Sequence, residues 1–153
     1  MHIYYQLIVH VQNGGDFAIK TSFKSNPAEV KKFLNELFRI IDDSSFDISS
    51  DFILIRSNKG DEYHSTPYTI ADLEFDSEDV VNTIRQLTIA DYSETLLDKD
   101  DLKPPLLFVF GKDINQKPIY IKLKIKEKKN KYILCVSFHY AEYSMNHPYA
   151  QVK

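Results

Sequence analysis

Two stretches in the last third of the chain carry its plainest alternation of apolar and polar residues. Pro118-Ile-Tyr-Ile-Lys-Leu-Lys-Ile-Lys126 alternates strictly, and Lys131-Tyr-Ile-Leu-Cys-Val-Ser-Phe-His139 runs mainly apolar before ending on polar groups. Both patterns predict strands. The short polar segment Glu127-Lys128-Lys129-Asn130 between them predicts an antiparallel hairpin with a four-residue loop. In that register Lys126 faces Lys131, Tyr120 lies across from Ser137, Lys122 across from Cys135, and Pro118 across from His139. Side chains repeat every second residue along a strand, so Tyr120, Lys122, Ser137 and His139 are expected on one face of the sheet.

The same reading extends along the rest of the chain. Ile3 to Val11 predicts a strand, Asn13-Gly14-Gly15-Asp16 a tight turn, and Phe17 to Phe23 the return strand. Asn26-Pro27-Ala28-Glu29 has the cap, proline and acid of a helix start. Val30, Phe33, Leu34, Leu37, Phe38 and Ile41 follow at three- and four-residue spacings, an apolar stripe that packs on a sheet until Asp42-Asp43-Ser44-Ser45 ends it. Phe52 to Arg56 predicts a short strand and Asn58 to Asp61 a turn, while Pro67 allows at most an edge strand within Glu62–Phe75. Acids at Asp76, Glu78 and Asp79 before Val80, Val81, Ile84 and Leu87 predict a second helix over Ser77–Leu87. Thr88 to Glu94 leads into an acidic loop ending at Pro105, and Leu106 to Gly111 is apolar on both faces, as a central strand would be. The expected class is α+β: an antiparallel sheet with two main helices and an added amino-terminal hairpin. With 153 residues, 43% of them hydrophobic, the chain suits a single domain, residues 1–25 being the hairpin addition and 26–153 the core.

Composition narrows the chemistry. One cysteine provides neither a disulfide framework nor a cysteine-based zinc site, and the scattered histidines have no recognisable ligand spacing, so no metal or other cofactor is expected. No leader pattern and no run of membrane-spanning length is present, which predicts a cytoplasmic protein with no membrane partner. The net charge of -3 conceals an asymmetry. Between Asp42 and Leu102 there are sixteen acidic residues against four basic, whereas Lys112 to Lys131 holds eight lysines against two acids. A basic hairpin in an acidic protein is an electrostatic footprint for phosphate. Lysines on an exposed face also keep a sheet from aggregating, and that reading stays open.

After His139 the chain continues Tyr140-Ala-Glu142-Tyr143-Ser-Met-Asn-His147-Pro148-Tyr149, dense in aromatic and ionisable groups where a plain strand should have finished. Such groups at a strand end suit the lip of a site, or a covering for the core. Ala90-Asp91-Tyr92-Ser93, Phe108-Val-Phe-Gly-Lys112, Ile119-Tyr-Ile-Lys-Leu-Lys-Ile125 and Cys135-Val-Ser-Phe-His-Tyr-Ala-Glu-Tyr143 with Pro148-Tyr149 together resemble the toxin family named for the motility quorum-sensing regulator, MqsR. The resemblance spans roughly Val80 to Tyr149, and more loosely the helix after Pro27.

That resemblance implies a RelE-like fold, an RNA-cleaving activity and a cognate antitoxin protein as partner. The family's active-site tyrosine matches Tyr120, and the basic residue after its terminal Ser-Phe falls on His139, where the founding member has lysine. Two positions depart from the pattern: the family's lysine after the loop aspartate is Glu94 here, and the glutamine entering the first of the three strands is Val109. Metal-free RNA cleavage needs a base for the ribose 2'-hydroxyl, positive charge for the phosphate and an acid for the leaving oxygen. Histidine titrates near neutrality, which suits His139 to proton transfer. Lys122 suits the phosphate, Tyr120 supplies a hydroxyl, and Glu142 is placed to orient His139. Lys112, Lys124, Tyr140, Tyr143 and Tyr149 are the expected RNA-binding residues, the tyrosines as stacking platforms for unpaired bases. The alternative is a non-catalytic binding protein that keeps only the fold, its acidic stretch mimicking nucleic acid to inhibit a defence nuclease.

Overall fold

The computed structural model describes residues 9–11, 17–19, 22–57, 60–98 and 105–152. In chain order these form β1 (Val9–Val11), β2 (Phe17–Ile19), β3 (Ser22–Phe23), α1 (Pro27–Asp42), α2 (Ile48–Asp51), β4 (Phe52–Leu54), a 3-10 turn Glu62–His64, α3 (Thr66–Leu73), α4 (Ser77–Arg85), a 3-10 turn Ile89–Asp91, β5 (Tyr92–Leu96), β6 (Leu107–Ile114), β7 (Lys117–Glu127) and β8 (Lys131–Tyr140). The α+β class is as expected, with four helices among the described residues. Six strands make one open sheet in the order β3-β5-β6-β7-β8-β4, antiparallel except where β4 joins β8 in parallel. β1 and β2 pair separately, Val9 opposite Ile19. The expected return strand is therefore split, since Ser22 and Phe23 pair with Leu96 and Thr95 in the main sheet. The predicted turn Asn13–Asp16 lies outside the described residues, as do residues 58–59 of the second predicted turn and 99–104 of the acidic loop.

Local chemistry fixes the helices. Asn26 accepts from the Glu29 amide while the Glu29 carboxylate accepts from the Asn26 amide, both at 2.9 Å, and Pro27 opens α1. Asp76 and Asp79 repeat that reciprocal cap on α4. The apolar stripe of α1 buries Val30, Leu34, Leu37 and Ile41, and Phe33 stacks on Phe108 of β6 at 4.1 Å. With Val80 and Ile84 of α4 they cover Phe110, Ile119, Ile121, Leu123, Ile133 and Phe138 in one buried cluster. Each such side chain contributes roughly 1.5–3 kcal/mol on leaving water.

Two segments differ from the sequence expectation for identifiable reasons. Glu62–Phe75 holds a helix in place of an edge strand, because Ser65 caps Tyr68 and Pro67 sits in the first turn, where its missing N–H is not needed. Its inward residues are largely hydroxyls: Thr66 and Thr69 accept from the amides of Phe138 and Tyr140 at 3.1 and 3.0 Å. α3 thereby satisfies the edge of β8 beyond the reach of β4. Tyr92–Leu96, expected as a loop, is a strand whose polar residues are satisfied internally. Tyr92 Oη and Thr95 Oγ1 lie 2.6 Å apart, Thr95 Oγ1 meets Ser25 Oγ at 2.7 Å, and the Ser25 amide donates to Tyr92 Oη at 2.8 Å.

The hairpin register also differs. Glu127 pairs with Lys131 across a three-residue loop, and Leu123 pairs with Cys135 while Lys122 pairs with Ser137. Val136 is the unpaired extra residue, a β-bulge. Before it Ile133 and Cys135 point into the core, and after it Phe138 and Tyr140 do. The bulge reverses the alternation, so Ser137 and His139 join Tyr120 and Lys122 on the face away from α1. The shared face expected from the sequence is present, but Tyr120 opposes His139, not Ser137.

Candidate active site

The sheet face opposite α1 is ordered in rows by the strand register. Glu94, Val109, Lys122 and Ser137 occupy one row across β5 to β8, and Gly111, Tyr120 and His139 the next across β6 to β8. The backbones of Glu94 and Lys122 stand two strand spacings apart, about 10 Å. Val109 between them is buried, so the two ionisable side chains flank a depression.

Its rim comes from the segment after β8. The Ala141 amide donates to the Pro118 carbonyl at 2.9 Å, and residues 142–146 then strap across the sheet. Gly111 is where the strap crosses: a Cβ there would lie 2.7 Å from Met145 Sδ and 2.9 Å from His147 Cε1. Beyond the crossing, Tyr149 stacks on Tyr92 at 5.8 Å and its hydroxyl donates to the Ser25 carbonyl at 2.6 Å. The strap is thus held at both ends. It encloses a cleft of about 410 Å³ lined by Ser93, Glu94, Tyr120, Lys122, Ser137 and His139, with Glu142, Tyr143 and Met145 on the rim.

Within the cleft the rings of Tyr120 and His139 stack at 5.1 Å with 12° between their planes, and Lys122 Nζ lies 5.7 Å from the Tyr120 ring centre. His139 Nδ1 lies 2.9 Å from the Tyr140 carbonyl. A carbonyl only accepts, so Nδ1 carries the proton and Nε2 is the lone-pair nitrogen of the neutral ring. Burial pulls the His139 pKa below its ordinary value, and the nearby charges of Lys122 and His64 act in the same direction; the Tyr140 carbonyl and Glu142 oppose them. Burial, then the negative charge of Glu94, pushes the Tyr120 hydroxyl up to about 12. The cleft therefore presents a neutral imidazole, a protonated phenol and a lysine around one space, groups suited to proton transfer beside a developing negative charge, with Glu94 on its β5 side.

The expected site residues divide between this cleft and other parts of the fold. Tyr120, Lys122, His139 and Glu142 all line the cleft, and Tyr143 stands 78% exposed at its mouth. The orienting partner of His139 is the Tyr140 carbonyl, with Glu142 acting on it only through its charge. Four expected RNA-binding residues do not belong to the cleft. Lys124 is buried, its ammonium 3.3 Å from Asp98. Tyr140 points to the core face, where it donates to Asp72 and stacks on Tyr63. Tyr149 is used as the anchor of the strap. Lys112 lies beside Asp91, 3.8 Å away, outside the cleft.

Glu94 is the ionisable cleft residue that sequence reasoning missed. It lies on β5, stands in the sequence only as a departure from a family pattern, and accepts a hydrogen bond from Ser22 Oγ. Only the pairing of β5 with β6 brings it opposite the hairpin. The acidic stretch is also accounted for in part. Asp47, Asp61 and Asp76 are helix or 3-10 caps, and Asp42 pairs with Arg85 at 2.6 Å. Hydrogen bonds hold the capping carboxyls below their ordinary pKa, from the Ser49 side chain for Asp47, the His64 side chain for Asp61 and the Asp79 amide for Asp76. Compared with known protein families, with characterised proteins and with solved structures, the chain matches none.

Proposed function

We propose that this chain is a metal-independent endoribonuclease of the toxin type, with a RelE-like, MqsR-like core, working on RNA in the cytoplasm and held in check by a cognate antitoxin. The observation that supports it most is the convergence of Tyr120, Lys122 and His139 in one cleft, the imidazole neutral and fixed by the Tyr140 carbonyl. In this reading His139 Nε2 takes the proton of a ribose 2'-hydroxyl, and the 2'-oxygen attacks the adjacent phosphorus. Lys122 offsets the charge that accumulates on the phosphate. The bond from phosphorus to the 5'-oxygen breaks, and that oxygen takes a proton from the Tyr120 hydroxyl. The products carry a 2',3'-cyclic phosphate and a 5'-hydroxyl, and proton return from His139 to Tyr120 resets the site. Tyr143, exposed at the mouth, offers a stacking face to an unpaired base.

The competing reading, a nucleic-acid mimic that inhibits a nuclease, draws on the acidic stretch. The employment of Asp42, Asp47, Asp61 and Asp76 in caps and pairing favours a structural role for those acids. No helix among the described residues is long and apolar enough to cross a membrane. The test is incubation of purified protein with single-stranded and structured RNA in the presence of chelator, beside a His139→Ala control. Cleavage to 2',3'-cyclic ends that the control loses supports the enzyme. Intact RNA, with loss of biological effect only when the acidic stretch is neutralised, overturns it in favour of mimicry.

A further inference from the structure

The cleft does not end at Glu94. A second depression of about 600 Å³ lies beyond it, bounded by Phe23, Lys24 and His147, and it shares Ser93, Glu94 and Asn146 with the first. The two adjoin at those shared residues, and together they trace a groove from His139 on β8 past β5 to the end of β3. Each part has the size that a single small ligand occupies, roughly 300–1,000 Å³. The chemistry changes along the groove in a definite order. Lys122 stands at one end beside the neutral imidazole of His139, a carboxylate with hydroxyl and amide groups at the join, and Lys24 at the other.

Cationic, then polar, then cationic is the order in which an RNA strand presents a phosphate, a ribose or base edge, and the next phosphate. A carboxylate at the join accepts from a ribose hydroxyl or a base amino group, where a phosphate would be repelled. Lys24 is also positioned. Its ammonium lies 5.9 Å from the centre of the Tyr149 ring, and that ring is fixed by Tyr92 and the Ser25 carbonyl. An exposed lysine over an aromatic face keeps its charge and loses some of its freedom.

Resting on the ribonuclease reading, we propose that this second depression is a subsite for the nucleotide adjoining the cleaved bond, with its outer phosphate held by Lys24. The enzyme then acts on single strands longer than a dinucleotide. Ser22, Phe23 and Lys24 lie outside the stretch that resembles the toxin family, so the wall of the subsite that carries its lysine comes from this chain's own amino-terminal addition.

The experiment compares kcat/KM, with chelator present, for a dinucleoside monophosphate and for the same step extended by one nucleotide and its phosphate on either side. Extension on one side is expected to raise kcat/KM about tenfold, the scale of one charge-assisted contact. Lys24→Ala should abolish that gain and leave the dinucleotide rate unchanged, while Lys24→Arg keeps it. Binding of a 2'-O-methyl oligonucleotide, which cannot be cleaved, gives a second measure: its salt-dependence slope should fall by about 0.7 in Lys24→Ala. Cleavage without a length effect, or a length effect and salt slope that survive Lys24→Ala, overturns the subsite and spares the ribonuclease reading. Failure to cleave any of the substrates overturns that reading, and the subsite with it.

Discussion

Phe138 and His139 are neighbours in one strand and belong to different molecules in a chemical sense. Phe138 is fully buried among aliphatic side chains, on the face closed by helices. His139 looks out on the other face into a cleft closed only by a strap and lined by ionisable groups. The helix-covered face stores the stability, since the removal of apolar area from water is what chiefly favours the folded chain. The strap-covered face leaves charged groups partly desolvated, which shifts their proton affinities and is costly in stability. A single bulge at Val136 keeps the two assignments apart along β8.

That division can be tested from its largest consequence downward. Phe138→Ala should cost about 3–5 kcal/mol in denaturant unfolding. His139→Ala should cost less, about 1–2 kcal/mol, the scale of one hydrogen bond and one ring stack. Cleavage should nevertheless fall about 10²–10⁴-fold in that variant, the usual worth of a proton-transfer group. Comparable unfolding penalties for the pair would break the comparison at its root. Gly111→Val comes next, since even a Cβ at that position meets Met145 and His147. The strap should lift, cleavage should drop about tenfold through lost positioning, and limited proteolysis should cut within residues 142–146.

The rate profile against pH sharpens the picture further. If His139 accepts the proton, cleavage rises through an acid limb below the ordinary 6.5 of histidine, chiefly because burial disfavours the imidazolium. Removing a nearby positive charge makes the imidazolium easier to form, so Lys122→Gln should move that limb to higher pH. A limb that stays in place would remove Lys122 from the surroundings of the base. The smallest effect is expected from Lys124→Met, which should leave cleavage unchanged because Lys124 points beneath the segment after β5 toward Asp98. A loss as large as that of Lys122→Gln would put Lys124 in the cleft.

Where local pattern decided the structure, the sequence was legible. α1 carries cap, proline, acid and stripe within a few residues, and all of them are used. α3 was hidden because the residues it turns inward are threonines, which accept from β8 and leave no hydrophobic stripe to mark the helix. The common face of Tyr120, Lys122 and His139 was legible from strand periodicity, although the pairing itself was not, since one extra residue in β8 leaves no compositional trace. The same periodicity assigns Tyr140 to the core, opposite in direction to His139, and outweighs its aromatic character as a guide to base stacking. Glu94 was illegible as a site residue because its neighbours in space come from strands that follow it by more than a dozen residues.

The two hydroxyls that α3 offers to β8 have a further consequence for motion. The amides of Phe138 and Tyr140 are satisfied by Thr66 and Thr69 and not by another strand. Their exchange with solvent deuterium therefore reports the lifting of one short helix, an opening smaller than global unfolding. His139 lies between those two amides and borrows the Tyr140 carbonyl for its tautomer. Protection at two backbone positions would thus measure how often the strand that carries the imidazole loses the helix at its edge.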